Sequence, residues 1–135
     1  MGVRQGLALA MAGMALGLCG GAAAAGPAET APYVRIAELE IDPAQLGAYK
    51  DILATEQAAS VRTEPGVVML HSVAIAEHPN QIRLLEVYAS RATYEAHVKS
   101  PHFLRYKAAT ASMVVSLKLI ETVPILLCAK TGDCR

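Results

Sequence analysis

A chain of 135 residues whose 12 basic and 12 acidic side chains cancel offers a polyanion nothing to bind. No run of Lys or Arg follows a phosphate backbone, which argues against nucleic-acid binding. The length allows one small domain once the N-terminal segment is set aside.

That segment, residues 1–25, carries one positive charge at Arg4, an apolar run from Leu7 to Leu18 and an Ala-rich end. This is the pattern of a secretory signal peptide, and the run is shorter than the roughly 20 residues that a bilayer span needs. Cleavage after Ala24 or Ala25 is expected, with a periplasmic or secreted product and no stable membrane anchor. Acylation at Cys19 and an uncleaved anchor are the alternatives. Residues 26–32, which include Pro27 and Pro32, read as a tether.

"YVRIAELEI" at 33–41 reads as a strand. Asp42-Pro43 stops it and opens a helix, because Asp can cap free N–H groups and Pro suits the first helical position. Leu46, Tyr49, Leu53 and Gln57 fall near one face of that helix, with Ile52 beside them. "EPG" at 64–66 is a turn. "VVMLHSVAIA" is a second strand, "EHPN" a tight connection and "QIRLLEVYA" a third strand, which together make a hairpin. Ser90 caps a short helix, "RATYEAHVK"; Ser100-Pro101 opens another, "HFLRYKAATASMVV"; "SLKLIETVPIL" is the last strand. The order β-α-β-β-α-β, with its second helix split, is an α+β ferredoxin-like arrangement with a four-stranded antiparallel sheet. The domain spans 33–127.

The remaining residues, 128–135, form a tail. Cys128 and Cys134 flank Gly132-Asp133, and in an oxidising compartment a disulfide there would contribute roughly 2 kcal/mol in the chain-entropy model. Two free tail thiols are the alternative.

A sheet covered on one face should alternate apolar with polar residues. Here Val67, Val68, Met69 and Leu70 are consecutive, as are Leu84 and Leu85, with Val87 and Tyr88 following. Both faces of the hairpin therefore call for burial, and a second copy against the open face, a homodimer, supplies it.

Few residues can carry chemistry. His78 lies in the connection and reads as solvated. His71, mid-strand with Met69 and Val73 on its face, is expected to point inward. Glu86 shares a face with Leu84 and Tyr88, so it needs a partner. A cation such as Arg83 or Arg105 is one choice, and a histidine that it orients is the other. Tyr94, His97 and Val98 form one stripe by i, i+3, i+4 spacing, which puts His97 on the buried side of its helix. An imidazole there can take or give a proton near neutral pH, or it can simply bond to a carbonyl in the core. His102 follows Pro101 in the first turn of the next helix, where the helix dipole disfavours positive charge. A metal site is not expected, because no ligand pair has the i, i+4 spacing of a helical zinc motif. Phosphate loops and a serine-nucleophile elbow are also missing.

The segments "EPGVVMLHSV", "LLEVYASRATYEAHVKSPHF" and "IETVPI" together resemble the antibiotic biosynthesis monooxygenase (ABM) domain. The likeness is to its quinol-monooxygenase-like branch among the dimeric α/β barrels, over about residues 33–125. The resemblance implies a pocket between sheet and helices in each subunit. His97 projects into it, with Glu86, Tyr88, Tyr94, His102 and Phe103 around it and His71 on its wall. It also implies oxidation of a quinol-like or polyphenolic aromatic molecule by O₂ with no cofactor. In that reading His97 is the base that removes the phenolic proton, and Glu86 holds its tautomer. A proton-transfer isomerase or lyase using His97, and a non-catalytic ligand-binding dimer, are the competing functions.

Overall fold

The computed structural model describes residues 31–130. The expected leader at 1–25, most of the tether at 26–32, and Cys134 lie outside the described residues. Cys128 is disulfide-bonded.

The chain runs β1 (Tyr33–Ile41), α1 (Leu46–Thr63), β2 (Val67–Ile75), β3 (His78–Tyr88), α2 (Arg91–His97), α3 (Pro101–Thr110) and β4 (Val114–Thr122). The sheet order is β2-β3-β1-β4, antiparallel at every pairing, so the ferredoxin-like expectation holds. Asp42 acts as foreseen: its carboxylate accepts from the Ala44 N–H at 3.0 Å and from Gln45 Nε2 at 2.9 Å, which starts the 3-10 turn Pro43–Gln45 that leads into α1. Ser90 and Thr93 form a reciprocal capping box at the start of α2. Ser100 accepts from the Phe103 N–H and Pro101 occupies the first turn of α3.

Some boundaries move. The hairpin turns on Ala76 and Glu77 alone, so His78 and Pro79 belong to β3, and Ile75 pairs with His78. The second helix stops at His97, two residues short of the expected end, because Val98 and Lys99 turn back onto Tyr94 and Ala96. The last strand begins at Val114 instead of Ser116 and ends at Thr122.

The core fills the space between α1 and the sheet. Leu39 and Ile41 of β1, Ile82 and Leu84 of β3, and Tyr49 and Leu53 of α1 pack together. The Tyr49 and Tyr106 hydroxyls meet at 2.8 Å and tie α1 to α3. Gly66 is needed where β2 begins. A Cβ there would lie 2.4 Å from Thr93 Cγ2 and 2.6 Å from Thr93 Cβ, so any larger residue would push α2 away.

The register decides which side chains reach the helices. Arg35 pairs with Glu86 and Ala37 with Leu84, all on the helix-facing side. A bulge between Val67 and Met69 shifts β2, so Leu70 stands opposite Glu86 while His71 stands opposite Leu85. His71 therefore lies on the outer face and is exposed, contrary to the expectation that it points inward. Its apolar neighbours misled: the stripe it shares with Val73 (61% exposed) is the uncovered face of the sheet.

Candidate functional site

His97, Glu64, His102 and Glu56 meet where α1, α2 and α3 come together. His97, the last residue of α2, is 3% exposed. Its ring packs edge-on against Phe103 at 4.8 Å between centroids and lies 5.4 Å from the Tyr88 ring. Its Nδ1 is 3.0 Å from Oε1 of Glu64, and the same oxygen lies 2.5 Å from His102 Nε2. On its other side Nε2 faces Oε1 of Glu56 at 3.8 Å. Glu56 in turn accepts from the Ser60 hydroxyl at 2.6 Å.

The local sequence explains these positions. Tyr49, Leu53, Glu56 and Ser60 are the buried residues of α1, one stripe at helical spacing, so Glu56 is carried under the sheet with the core. Glu64 leaves the helix in an extended conformation while its N–H still donates to the Ser60 carbonyl. That places its carboxylate between two imidazoles. Burial raises the Glu64 pKa, but the hydrogen bonds and charges of His97 and His102 outweigh it and hold the carboxyl below its ordinary range. An ionised Glu64 only accepts, so the Nδ1–H of His97 donates to it. In the neutral ring, Nε2 is then left with its lone pair free on the side of Glu56.

His97 borders a cavity of about 90 Å³ between sheet and helices. Its polar wall includes Arg35, Glu56, Gln57, Glu86, His97 and Lys107; Leu53, Leu84, Phe103 and Val114 supply apolar surface. Tyr88, Tyr94 and Phe103 line this cavity. His102 stands behind the wall on Glu64, and its ring faces a second hollow between α1 and α3. His71 is on the opposite face of the sheet.

Glu86 reaches the cavity but does not hold His97, which is Glu64's part. Its Oε2 accepts from the Tyr88 hydroxyl at 3.2 Å. Burial pushes its pKa up, partly offset by the charge of Arg35 and the Tyr88 bond. The cation that acts on it is one the sequence left unnamed. Arg83 sits on the outer face beside Glu38, and the guanidinium facing Glu86 is that of Arg35. Arg35 is 7% exposed and stacks 4.5 Å above the Tyr94 ring.

Sequence reasoning missed Glu56, Glu64, Arg35 and Gln57. A usable signal existed for two: Glu56 is a carboxylate on an apolar helical stripe, and Arg35 is a cation on the strand face of Ala37 and Leu39. Glu64 was read only as part of a turn. Folding also makes a group that spacing alone argued against: Glu56, His97 and His102 present potential metal-ligand atoms within 4.8 Å of one another. They come from three helices, so no i, i+4 pattern announces them.

The model of the antibiotic biosynthesis monooxygenase family matches residues 32–109. A provisionally named antibiotic biosynthesis monooxygenase from Bacteroides thetaiotaomicron VPI-5482 is 40% identical with a TM-score of 0.72; the match covers 76% of this chain and 97% of that one. A provisionally named monooxygenase from Lactobacillus acidophilus NCFM is 29% identical with a TM-score of 0.68, over 71% of this chain and 46% of that longer one. A Nitrosomonas europaea protein, 23% identical with a TM-score of 0.66 over 70% of this chain and 90% of its own, shares the fold. No curated protein matches.

Proposed function

Because the chain belongs to the antibiotic biosynthesis monooxygenase family, we propose that it oxygenates a quinol-like or polyphenolic small molecule with O₂, drawing both electrons from the substrate. The observation that carries this reading is His97: its Nδ1–H is held by Glu64, and the ring borders the cavity.

The substrate hydroxyl gives its proton to Nε2 of His97. The imidazolium that forms is stabilised by Glu64 at Nδ1 and by Glu56, 3.8 Å from Nε2. A phenolate passes an electron to O₂ far more readily than the phenol does. Oxygen then bonds to a ring carbon; one oxygen atom stays and the other leaves as water. A quinol that gains one oxygen atom and loses two hydrogens becomes a hydroxyquinone, so atoms and electrons balance with no added reductant. The apolar wall of Leu53, Leu84 and Phe103 keeps bulk water from the reactive intermediate.

The proposal includes export and a homodimer. A disulfide-bonded Cys128 suits an oxidising compartment. On the outer face of the sheet, Val73 is 61% and Leu85 39% exposed, and a second copy would cover them.

Oxygen uptake with a panel of hydroquinones tests the function. Wild-type protein is expected to consume O₂ and His97→Ala to lose turnover. A His97→Ala protein that turns over as fast would remove this residue from the chemistry. Substrate conversion without O₂ uptake would favour the isomerase reading instead.

A further inference from the structure

The proton-transfer chemistry leaves Arg35 and Gln57 of the cavity wall unused. The Arg35 guanidinium is 7% exposed, yet it forms no hydrogen bond or ion pair with any described residue, and its Nε is buried without a partner. Its neighbour in register, Glu86, makes its hydrogen bond with Tyr88 instead. Among the described residues its guanidinium lies over the face of Tyr94 and feels the charge of Glu86 at longer range. Taking a guanidinium out of water costs several kcal/mol unless an anion or acceptors compensate, and a ring face compensates only part of that.

Gln57 shows the same deficit. Its Oε1 accepts from the Ser72 hydroxyl at 2.9 Å, and its Nε2 is buried with no acceptor. Buried polar groups are nearly always satisfied, so two unsatisfied donors on one cavity point to a missing acceptor.

We infer that the cavity takes a hydroxylated aromatic carboxylate, with its carboxylate on Arg35 and a ring hydroxyl on His97. This rests on the oxygenation reading for the role of His97 but adds the substrate's acid group. An Arg fork matches a carboxylate with two parallel hydrogen bonds, which a neutral quinol cannot offer. Tyr94 and Tyr88 link the two ends of the site: Arg35 lies on Tyr94, Tyr94 packs on Tyr88 at 5.3 Å, and Tyr88 on His97 at 5.4 Å. Gln57 Nε2 is a second donor for a ring oxygen. Glu86 would repel a carboxylate when ionised, and its burial, which favours the protonated form, reduces that opposition.

The test is anaerobic calorimetric binding of three probes: hydroquinone, 2,5-dihydroxybenzamide and 2,5-dihydroxybenzoate. The benzoate is expected to bind about tenfold or more tightly than hydroquinone, as a charge-assisted bond implies, with the neutral amide between them. Arg35→Gln should abolish the preference while leaving hydroquinone binding in place, and Arg35→Lys should keep part of it. Equal binding of benzoate and hydroquinone by the wild type, or a preference that survives in Arg35→Gln, would overturn the inference. Hydroquinone binding in each variant reports that the cavity is still folded. Arg35-dependent benzoate binding without O₂ uptake would sink the oxygenation reading and leave this inference standing. O₂ uptake with no benzoate preference would do the reverse.

Discussion

Glu64 and His97 meet with a carboxylate oxygen 3.0 Å from the imidazole Nδ1, across the 33 residues that separate them in the chain. The carboxyl is held ionised by the two imidazoles that share it, and so it dictates the tautomer of the ring. Glu64→Gln keeps the shape but offers an N–H that can turn the wrong way. Turnover should fall about 10²- to 10⁴-fold with little change in KM, as for a base that loses its orienting carboxylate. Oxygen uptake measures the rate, and ¹⁵N shifts of His97 report the tautomer. An unchanged tautomer with unchanged turnover would return the orienting role to another group.

The same carboxylate links stability to acid. Its folded pKa lies below the ordinary 4.5, so it contributes stability in full above about pH 4.5. That contribution disappears as pH falls through the lower folded value. Urea unfolding of wild type and Glu64→Gln should therefore differ near neutral pH and converge in acid. A constant gap across the range would mean that the two histidines do not hold this carboxyl.

Glu86 has the opposite sign. Burial raises its folded pKa above 4.5, so the ionised group costs stability at pH values above the raised one and costs nothing well below 4.5. Glu86→Gln can still accept from Tyr88. Its melting temperature should exceed that of wild type at pH 7, and the gain should vanish near pH 4. A loss of stability at pH 7 would show that the Arg35 charge outweighs burial.

Gly66→Ala tests the seat of α2. The new Cβ meets Thr93 Cβ at 2.6 Å, an atom that cannot rotate away, so α2 and His97 must shift. A loss of about 1–3 kcal/mol is expected from overpacking, with reduced turnover. Chemical denaturation and oxygen uptake read the two effects.

A charge on the outer face tests assembly. Leu85 is 39% exposed on the side away from the helices, beside His71 of the neighbouring strand. Leu85→Glu should yield a monomer where wild type sediments as a dimer at micromolar concentration. A wild-type monomer would remove the homodimer from the proposal.

Much of the architecture was legible. Caps at Asp42, Ser90 and Ser100, prolines at first helical positions, and β-branched runs act over a few residues, so local chemistry reveals them. The buried side of His97 was legible too, because helical spacing sets it. The companions of His97 were not. Glu64 looked like a turn residue, and Glu86 looked like the orienting carboxylate because it shares a strand face with Leu84 and Tyr88 and needs a partner.

Propensity, capping and periodicity are short-range, so the elements, their order and the buried side of α2 follow from neighbouring residues alone. Tertiary structure alone decided which carboxylate reaches His97, which cation faces Glu86 and where His71 points. Those outcomes depend on strand register and on one bulge between Val67 and Met69, which moves His71 to the outer face while Leu70 turns to the cavity. A one-residue slip reverses every side chain beyond it, and no local preference records the slip.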